Sequence, residues 1–538
     1  MSGGDVPDGG GPAPLCTGGW HVCGGQLRDA DGRAVILRGL NVSGGNKQAP
    51  YLDFHVEADL ARMRDDWGMN AIRWVMPWAA VEPTEGGYDD AYLDAVRIRL
   101  DWAAAHDLVV ILDMHQDVYG EGFGFNGAPR WTCDEARYAD FRPRTPWALN
   151  YVDPNVVACF DELWTDPAKG AAHAAAWAHV AARLGDHPAV VGFDPINEPH
   201  WGSYAVSDFE ADRLQPFYDR DVAAVRAEAP GWVVFAEPAS SRNLGFPTSL
   251  ARFGYPDVVY APHAYDATAE QGNGFDPARR DSFMANIAAL RDEADRLGAA
   301  LWIGEYGGLG SDPGIGAYMA AAYDGAAAVA ASSMYWDYSR GGGYAPIDAD
   351  GAEVTAITDA IVRPYPSRIA GDPVAWQDDP AAGTLRLTYR PDPRIAAATE
   401  VVVPPRLLGA GGADAIDVAY HRADPAAGGA PTLALALVNG HATVTGLGAL
   451  RLDGGSRLVG GRLASLELAI AGDLTLAGAT LAGGAALAWD GDAGTLALTV
   501  EDGSLAIDGL GALAVSGGAT LAGGALDALD LAVAGDLA

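Results

Sequence analysis

Lysine is almost missing from this chain. Only Lys47 and Lys169 occur in 538 residues, and arginine completes a basic set of 35 against 71 acidic side chains. A formal net charge of −36 excludes nucleic acid or an anionic membrane surface as a main partner, because both demand a basic face. Acidity of this kind serves solubility. No run of about 18 apolar residues is present, so no transmembrane helix is expected. The opening stretch, Met1–Pro12, lacks the basic and apolar regions of a signal peptide and reads as a flexible linker. An exported form would carry a trimmed leader or one of another kind.

Cysteine is scarce too: Cys16, Cys23, Cys133 and Cys159. Their spacing matches no zinc pattern, and none has the surroundings of a nucleophile. Two local disulfides, 16–23 and 133–159, would suit an oxidising compartment, but four cysteines allow three connectivities and free thiols are a further option.

What is abundant is apolar sequence, 49% of the chain, enough for a large core and more than one domain. From Gly19 to Tyr365, apolar runs alternate with amphipathic stretches. Strands are expected at Val35–Val42, Ala71–Pro77, Leu108–Met114, Val190–Ile196, Val233–Glu237, Val258–His263, Leu301–Gly304 and Ser333–Trp336. Helices are expected between them, for example at Tyr92–His106, Ala171–Leu184 and Phe283–Leu297. Eight strands separated by helices predict an α/β fold, a (β/α)8 barrel over residues 19–365, after a flexible segment 1–18. Gly19–Arg33, with Asp31-Gly32 as its turn, is expected to close the barrel bottom as a hairpin. The irregular segment Tyr119–Asn155 follows the third strand and should shape the rim.

Alternating strands such as Gly383–Tyr389 and Glu400–Pro404 predict a β-sandwich over 366–440. Residues 441–538 form a Gly/Ala/Leu-rich repetitive tail: Gly446–Leu450 recurs as Gly509–Leu513, and Leu468–Leu474 as Leu531–Leu537, both at an offset of 63. This reads as a β-solenoid or a poorly ordered segment.

Two glutamates carry the chemistry. Glu198, in Phe193-Asp-Pro-Ile-Asn-Glu-Pro-His200, and Glu305, in Leu301-Trp-Ile-Gly-Glu-Tyr-Gly307, each end an apolar run. In a (β/α)8 barrel such tips form the catalytic rim. A facing carboxyl pair suits glycosidic bond cleavage. A lone strand-end glutamate is as often a surface ion-pair partner, but the two contexts together favour chemistry. On the third strand His115, Gln116 and Asp117 should emerge where polar groups bind sugar hydroxyls. Arg73, between Ile72 and Trp74, needs a partner if buried, and the Glu305 carboxylate is one that it would keep ionised. His263, Tyr265 and Trp336 lie on the sixth and eighth strands, Trp336 serving as a sugar platform or as core.

The strings Leu37–Ser43 with Lys47, Trp78–Pro83, Asp113–Tyr119, Asn197–Pro199, Pro262–Tyr265, Gly304–Gly307 and Arg363–Pro366 together resemble a clan A, family 5 glycoside hydrolase, and within it the endoglycoceramidase group. The resemblance spans Gly19 to Pro404. It implies a retaining double displacement with Glu198 as acid/base and Glu305 as nucleophile, and carboxyls roughly 5 Å apart. By the same resemblance Asn197 meets the sugar 2-hydroxyl, and Arg73 and Tyr265 orient Glu305. Lys47, His115, Asp117, His263 and Trp336 would line the adjoining sugar subsite. No metal or organic cofactor is implied. The substrate class implied is a glycolipid, with a β-glucosidase or endo-β-glucanase as the alternative. A non-catalytic adhesion protein is a third reading, against which both intact carboxylates speak. An extracytoplasmic location, with surface association through the tail, is the corresponding expectation.

Overall fold

The computed structural model describes residues 17–407 apart from 393; between 418 and 534 it describes only the backbone of short strands. Eight parallel strands close a barrel in chain order: β1 (Arg38–Val42), β2 (Ala71–Pro77), β3 (Val109–His115), β4 (Val190–Asp194), β5 (Val233–Ala236), β6 (Val258–Tyr260), β7 (Ala300–Tyr306) and β8 (Ser332–Tyr338). The closing pair is β8 with β1, where Met334 lies opposite Gly39. Parallel strands covered on both faces must be apolar throughout, which is why these runs were readable. Helices Asp90–Ala105, Pro167–Leu184, Gln215–Glu228, Arg280–Leu297 and Ile315–Ala328 form the outer layer.

The first expected strand proves to be two. Ala34–Val35 joins an antiparallel sheet at the barrel bottom, and only Arg38–Val42 enters the barrel. The hairpin also turns elsewhere: His21–Cys23 pairs with Gln26–Arg28 around Gly24-Gly25, both at positive φ. Positive φ at both central positions is what glycine supplies in a tight hairpin. Asp31-Gly32 instead makes the next turn, with the Gly32 N–H donating to the Asp29 carbonyl. The bottom of the barrel is filled by Leu27, Val35, Leu37, Phe235 and Trp302, with Trp20 and Val22 packed against them.

After the barrel, Tyr365–Ile369 and Glu400–Val402 extend the N-terminal sheet, while Gly371–Asp379 and Thr384–Pro391 pair as a separate hairpin. The N-terminal strands thus share one sheet with Tyr365–Ile369 and Glu400–Val402, fastened by Arg33 to Glu400 at 2.6 Å and to the Ala398 carbonyl at 3.0 Å. In the tail, Leu433–Ala436, Ser456–Val459, Leu474–Ala477, Leu496–Thr499 and Ala519–Ala522 pair in parallel. The side chains and connections of that repeat lie outside the described residues. So does the linker up to Cys16, and with it the expected 16–23 disulfide.

The long segment after β3 is not loose. Cys133 and Cys159 form a disulfide with Cα atoms 5.7 Å apart across a separation of 26 residues, a closure that contributes on the order of 2–4 kcal/mol. Phe123 packs edge-on against Tyr138 and Phe141, and Tyr119 against Phe160. Among the described residues, no helix is long and apolar enough to cross a membrane.

Leu27→Ala should open a void in the barrel floor and cost about 2–5 kcal/mol. A lowered thermal midpoint with unchanged activity per folded molecule is the expected outcome; an unchanged midpoint would show that the floor is not part of the cooperative core.

Candidate active site

Arg73 sits midway along β2 and is fully buried. An arginine there satisfies five donors or destabilises the barrel. It donates to Glu305 Oε1 at 2.8 Å, to Asn41 at 3.0 Å, and to Asn197, Asp194 and Glu237 at 2.9 Å each. Asp113 lies 2.9 Å from the same guanidinium. Five strand ends (β1, β3, β4, β5 and β7) therefore converge on one cation. The excess of carboxylate is relieved in two ways. Burial, reinforced by Glu237, pushes the Asp194 carboxyl well above its ordinary range. His263 faces Glu237 through Nε2 at 3.2 Å and Glu198 through Nδ1 at 2.9 Å. Burial opposes the imidazolium, but Glu237 and Glu305 outweigh it and hold the His263 pKa well above its ordinary value.

Glu305 is gripped at both oxygens: Arg73 donates to Oε1, and the Tyr265 hydroxyl donates to Oε2 at 2.8 Å. Burial and the neighbouring Glu305 push the Tyr265 phenol far up, so it stays a donor. Glu198 follows β4 at a backbone φ of +43°, the left-handed region that non-glycine residues rarely occupy. Its N–H donates to Glu237 Oε2 at 2.8 Å and its carbonyl accepts from Gln116 at 2.9 Å, which holds the turn. Glu198, His263 and Glu305 each present a ligand atom within 4.8 Å of the others. These are metal-ligand types, yet both Glu305 oxygens and the His263 ring are already engaged by protein partners, so a cation there would have to displace them.

Beside the pair lies a polar basin with an indole wall. His115 stacks on Trp336 at 5.2 Å, and Lys47 Nζ lies 4.2 Å from the indole centre. Lys47 also pairs with Asp117 at 2.8 Å, and Asn126 donates to the same carboxylate at 2.7 Å. Burial disfavours both charges, but each holds the other: Lys47 is raised and Asp117 falls well below the carboxylate range. His115 Nδ1 is 2.7 Å from Asp113, so the basin is tied to the Arg73 cluster. Lys47 reaches it through Gly44, whose φ of +83° turns the chain after β1.

The model for the cellulase family, glycosyl hydrolase family 5, matches residues 28–342, and that for the family 5 C-terminal domain matches residues 363–421. The chain belongs to glycoside hydrolase family 5. Endoglycoceramidase I of Rhodococcus hoagii is 29% identical over 408 residues, covering 71% of this chain and 78% of the relative. The solved structure of endo-glycoceramidase II from Rhodococcus sp. is 34% identical with a TM-score of 0.64, covering 71% of this chain and 90% of that one. The same enzyme has been solved as a lactosyl-enzyme intermediate, 33% identical to this chain at a TM-score of 0.64 over the same shares.

This glycoside hydrolase brings Lys47, Arg73, His115, Asp117, Asn197, Glu198, His263, Tyr265, Glu305 and Trp336 to one end of the barrel. Gln116 departs from expectation. It is buried, donating to the Asn197 and Glu198 carbonyls and accepting from the Tyr119 N–H, so it braces the rim and has no free group for a sugar hydroxyl. Sequence reasoning missed Asn41, Asp113, Asp194, Glu237 and Asn243. A signal existed for three of them: an acid at the end of an otherwise apolar strand requires a buried partner, and Asp113, Asp194 and Glu237 all stand so. Asn243 lies in a polar loop with no such signal.

Tyr265→Phe should leave the fold intact and lower kcat roughly ten- to hundredfold, the loss of one hydrogen bond to a charged group. Arg73→Met should instead destabilise the barrel by about 3–5 kcal/mol, since it strands buried carboxylates; thermal melts separate the two. The elevated His263 pKa has a signed consequence. Its contribution is complete below an unfolded value of about 6.5 and is lost as pH rises through the folded one. The thermal midpoint of His263→Gln should therefore fall less steeply than that of the wild type toward alkaline pH. Parallel slopes would remove His263 from the account.

Proposed function

We propose that this family 5 enzyme cleaves the bond between a glycan and the lipid of a glycolipid, with Glu305 as nucleophile and Glu198 as acid/base. The observation that carries the mechanism is the carboxyl pair, with oxygens within 4.8 Å. That separation suits direct attack, whereas an inverting enzyme needs room for a water between its carboxyls, about 6.5–9.5 Å. Glu305 attacks the anomeric carbon while Glu198 gives its proton to the departing oxygen. Water then adds to the same carbon, Glu198 takes the water's proton, and the ester to Glu305 breaks. The grip of Arg73 and Tyr265 on its two oxygens keeps Glu305 aimed. Asn197 would contact the 2-hydroxyl, and Lys47, His115, Asp117, His263 and Trp336 would hold the sugar ring.

The lipid reading is supported by the relatives named endoglycoceramidase, and by a solved complex of one of them with ganglioside GM3. Apolar side chains on the rim add to it, away from the sugar subsite. The surroundings of Trp336 are polar, while Trp147 is 52% exposed after β3 and Leu244 and Phe246 are 67% and 52% exposed after β5. The disulfide at Cys133–Cys159 supports an extracytoplasmic location. Attachment to a surface through the repeats of the tail rests on their regular pattern alone.

Glu305→Gln should abolish turnover of an aryl β-glucoside with the thermal midpoint preserved; normal activity would sink the assignment. Glucosylceramide, lactosylceramide and cellotetraose assayed side by side test the substrate class. Free glycan from a ceramide substrate is expected, and cleavage of cellotetraose alone would overturn the lipid reading.

A further inference from the structure

The Glu198 carboxylate has a partner that neither the mechanism above nor the sequence pattern calls for. Asn243 Nδ2 donates to Oε1 at 2.7 Å, and His263 Nδ1 reaches the same oxygen at 2.9 Å. Oε1 therefore receives two N–H donors. A protonated oxygen tolerates donors poorly, whereas an anionic one is stabilised by them. The transferable proton is thereby confined to Oε2.

Asn243 is not a stray surface amide that happens to touch the site. It sits in the one-turn helix Ser240–Leu244 after β5, whose stem is fixed on both sides. The Ser240 N–H donates to the Pro199 carbonyl at 3.0 Å, directly after Glu198. Arg242 is buried and donates to Glu293 at 3.0 Å and to Asn286 at 3.1 Å on the helix Arg280–Leu297. Glu293 in turn accepts from the Tyr260 hydroxyl at 2.7 Å, which ties the turn to β6. Gly245, at φ +88°, then lets the chain leave for the exposed Leu244–Pro247 tip.

We infer that Asn243 is a positioning residue that fixes which oxygen of the Glu198 carboxyl carries the proton to the leaving group. The inference rests on the acid/base role of Glu198. Its consequence is selective. A leaving group that needs protonation depends on the orientation of Glu198, whereas one that departs as a stable anion does not.

The test compares wild type, Asn243→Ala, Asn243→Ser and Glu198→Gln on a 2,4-dinitrophenyl β-glycoside and on an alkyl β-glycoside of the same sugar. Asn243→Ala should lose roughly tenfold or more in kcat/KM on the alkyl glycoside, a loss the size of one charge-assisted hydrogen bond, and much less on the dinitrophenyl one. Removing a donor to the carboxylate should also move the alkaline limb of its kcat/KM profile to higher pH. Asn243→Ser, whose hydroxyl keeps a donor, should recover part of both effects and remains informative if the alanine variant folds poorly. Equal losses on both substrates with an unshifted alkaline limb, or no loss at all, would overturn the inference. Glu198→Gln separates the two levels. If it too shows no leaving-group selectivity, the acid/base assignment falls and the inference with it; if it does and the Asn243 variants do not, the inference alone falls.

Discussion

A single buried guanidinium organises this catalytic end. Arg73 touches side chains from five strand termini, and its neighbours include Glu305, Asn197 and, through Glu237, the backbone of Glu198. A charge taken out of water is tolerated only if its donors are satisfied and its sign is balanced. Here the cluster holds both the Asp194 carboxyl and the His263 imidazole well above their ordinary pKa values. Those two shifts follow from the cluster, and the cluster follows from placing an arginine where a barrel strand would otherwise carry an apolar residue.

From that point the functional asymmetry of the two glutamates unfolds. Glu305 shares the low-dielectric interior with Arg73 and is held at both oxygens. Glu198 stands at the strained turn after β4, with its side chain 17% exposed. One carboxylate is fixed and shielded; the other meets the space where leaving group and water must come and go. The polar basin of Lys47, His115 and Asp117 hangs from the same cluster through Asp113. The loop after β3, closed by its disulfide and aromatic packing, lends Asn126 to the same basin.

Much of this was legible in the sequence because barrel strands are apolar on both faces, so a polar residue at a strand end stands out. Glu198, Glu305, His115 and Tyr265 were found that way, and Arg73 as a charge set between apolar neighbours inside a strand. Asp113, Asp194 and Glu237 carry the same mark but were passed over: Asp194 and Glu237 lie outside the recognisable strings, and Asp113 opens one in which His115 and Asp117 drew the notice. Two errors have a common cause. The split of Val35–Val42 and the turn at Gly24-Gly25 both depend on a sheet shared with strands more than 300 residues later, such as Tyr365–Ile369, and local pattern holds no information on such pairing. Gln116 was misjudged because one amide at the rim looks like another until its backbone partners are known. Asn243 left no trace in the pattern, since loop residues gain their roles from tertiary approach alone.

The claim on which the rest turns is that Glu305, held by Arg73 and Tyr265, forms the covalent bond to the sugar. The most direct measurement is to trap that bond with a 2-deoxy-2-fluoro β-glycoside bearing a dinitrophenyl leaving group, then to map the label by peptide mass spectrometry. The account predicts one glycosyl group on the peptide containing Leu301–Gly307, at Glu305, released slowly as activity returns. A label on Glu198, or inactivation with no covalent adduct, would contradict it.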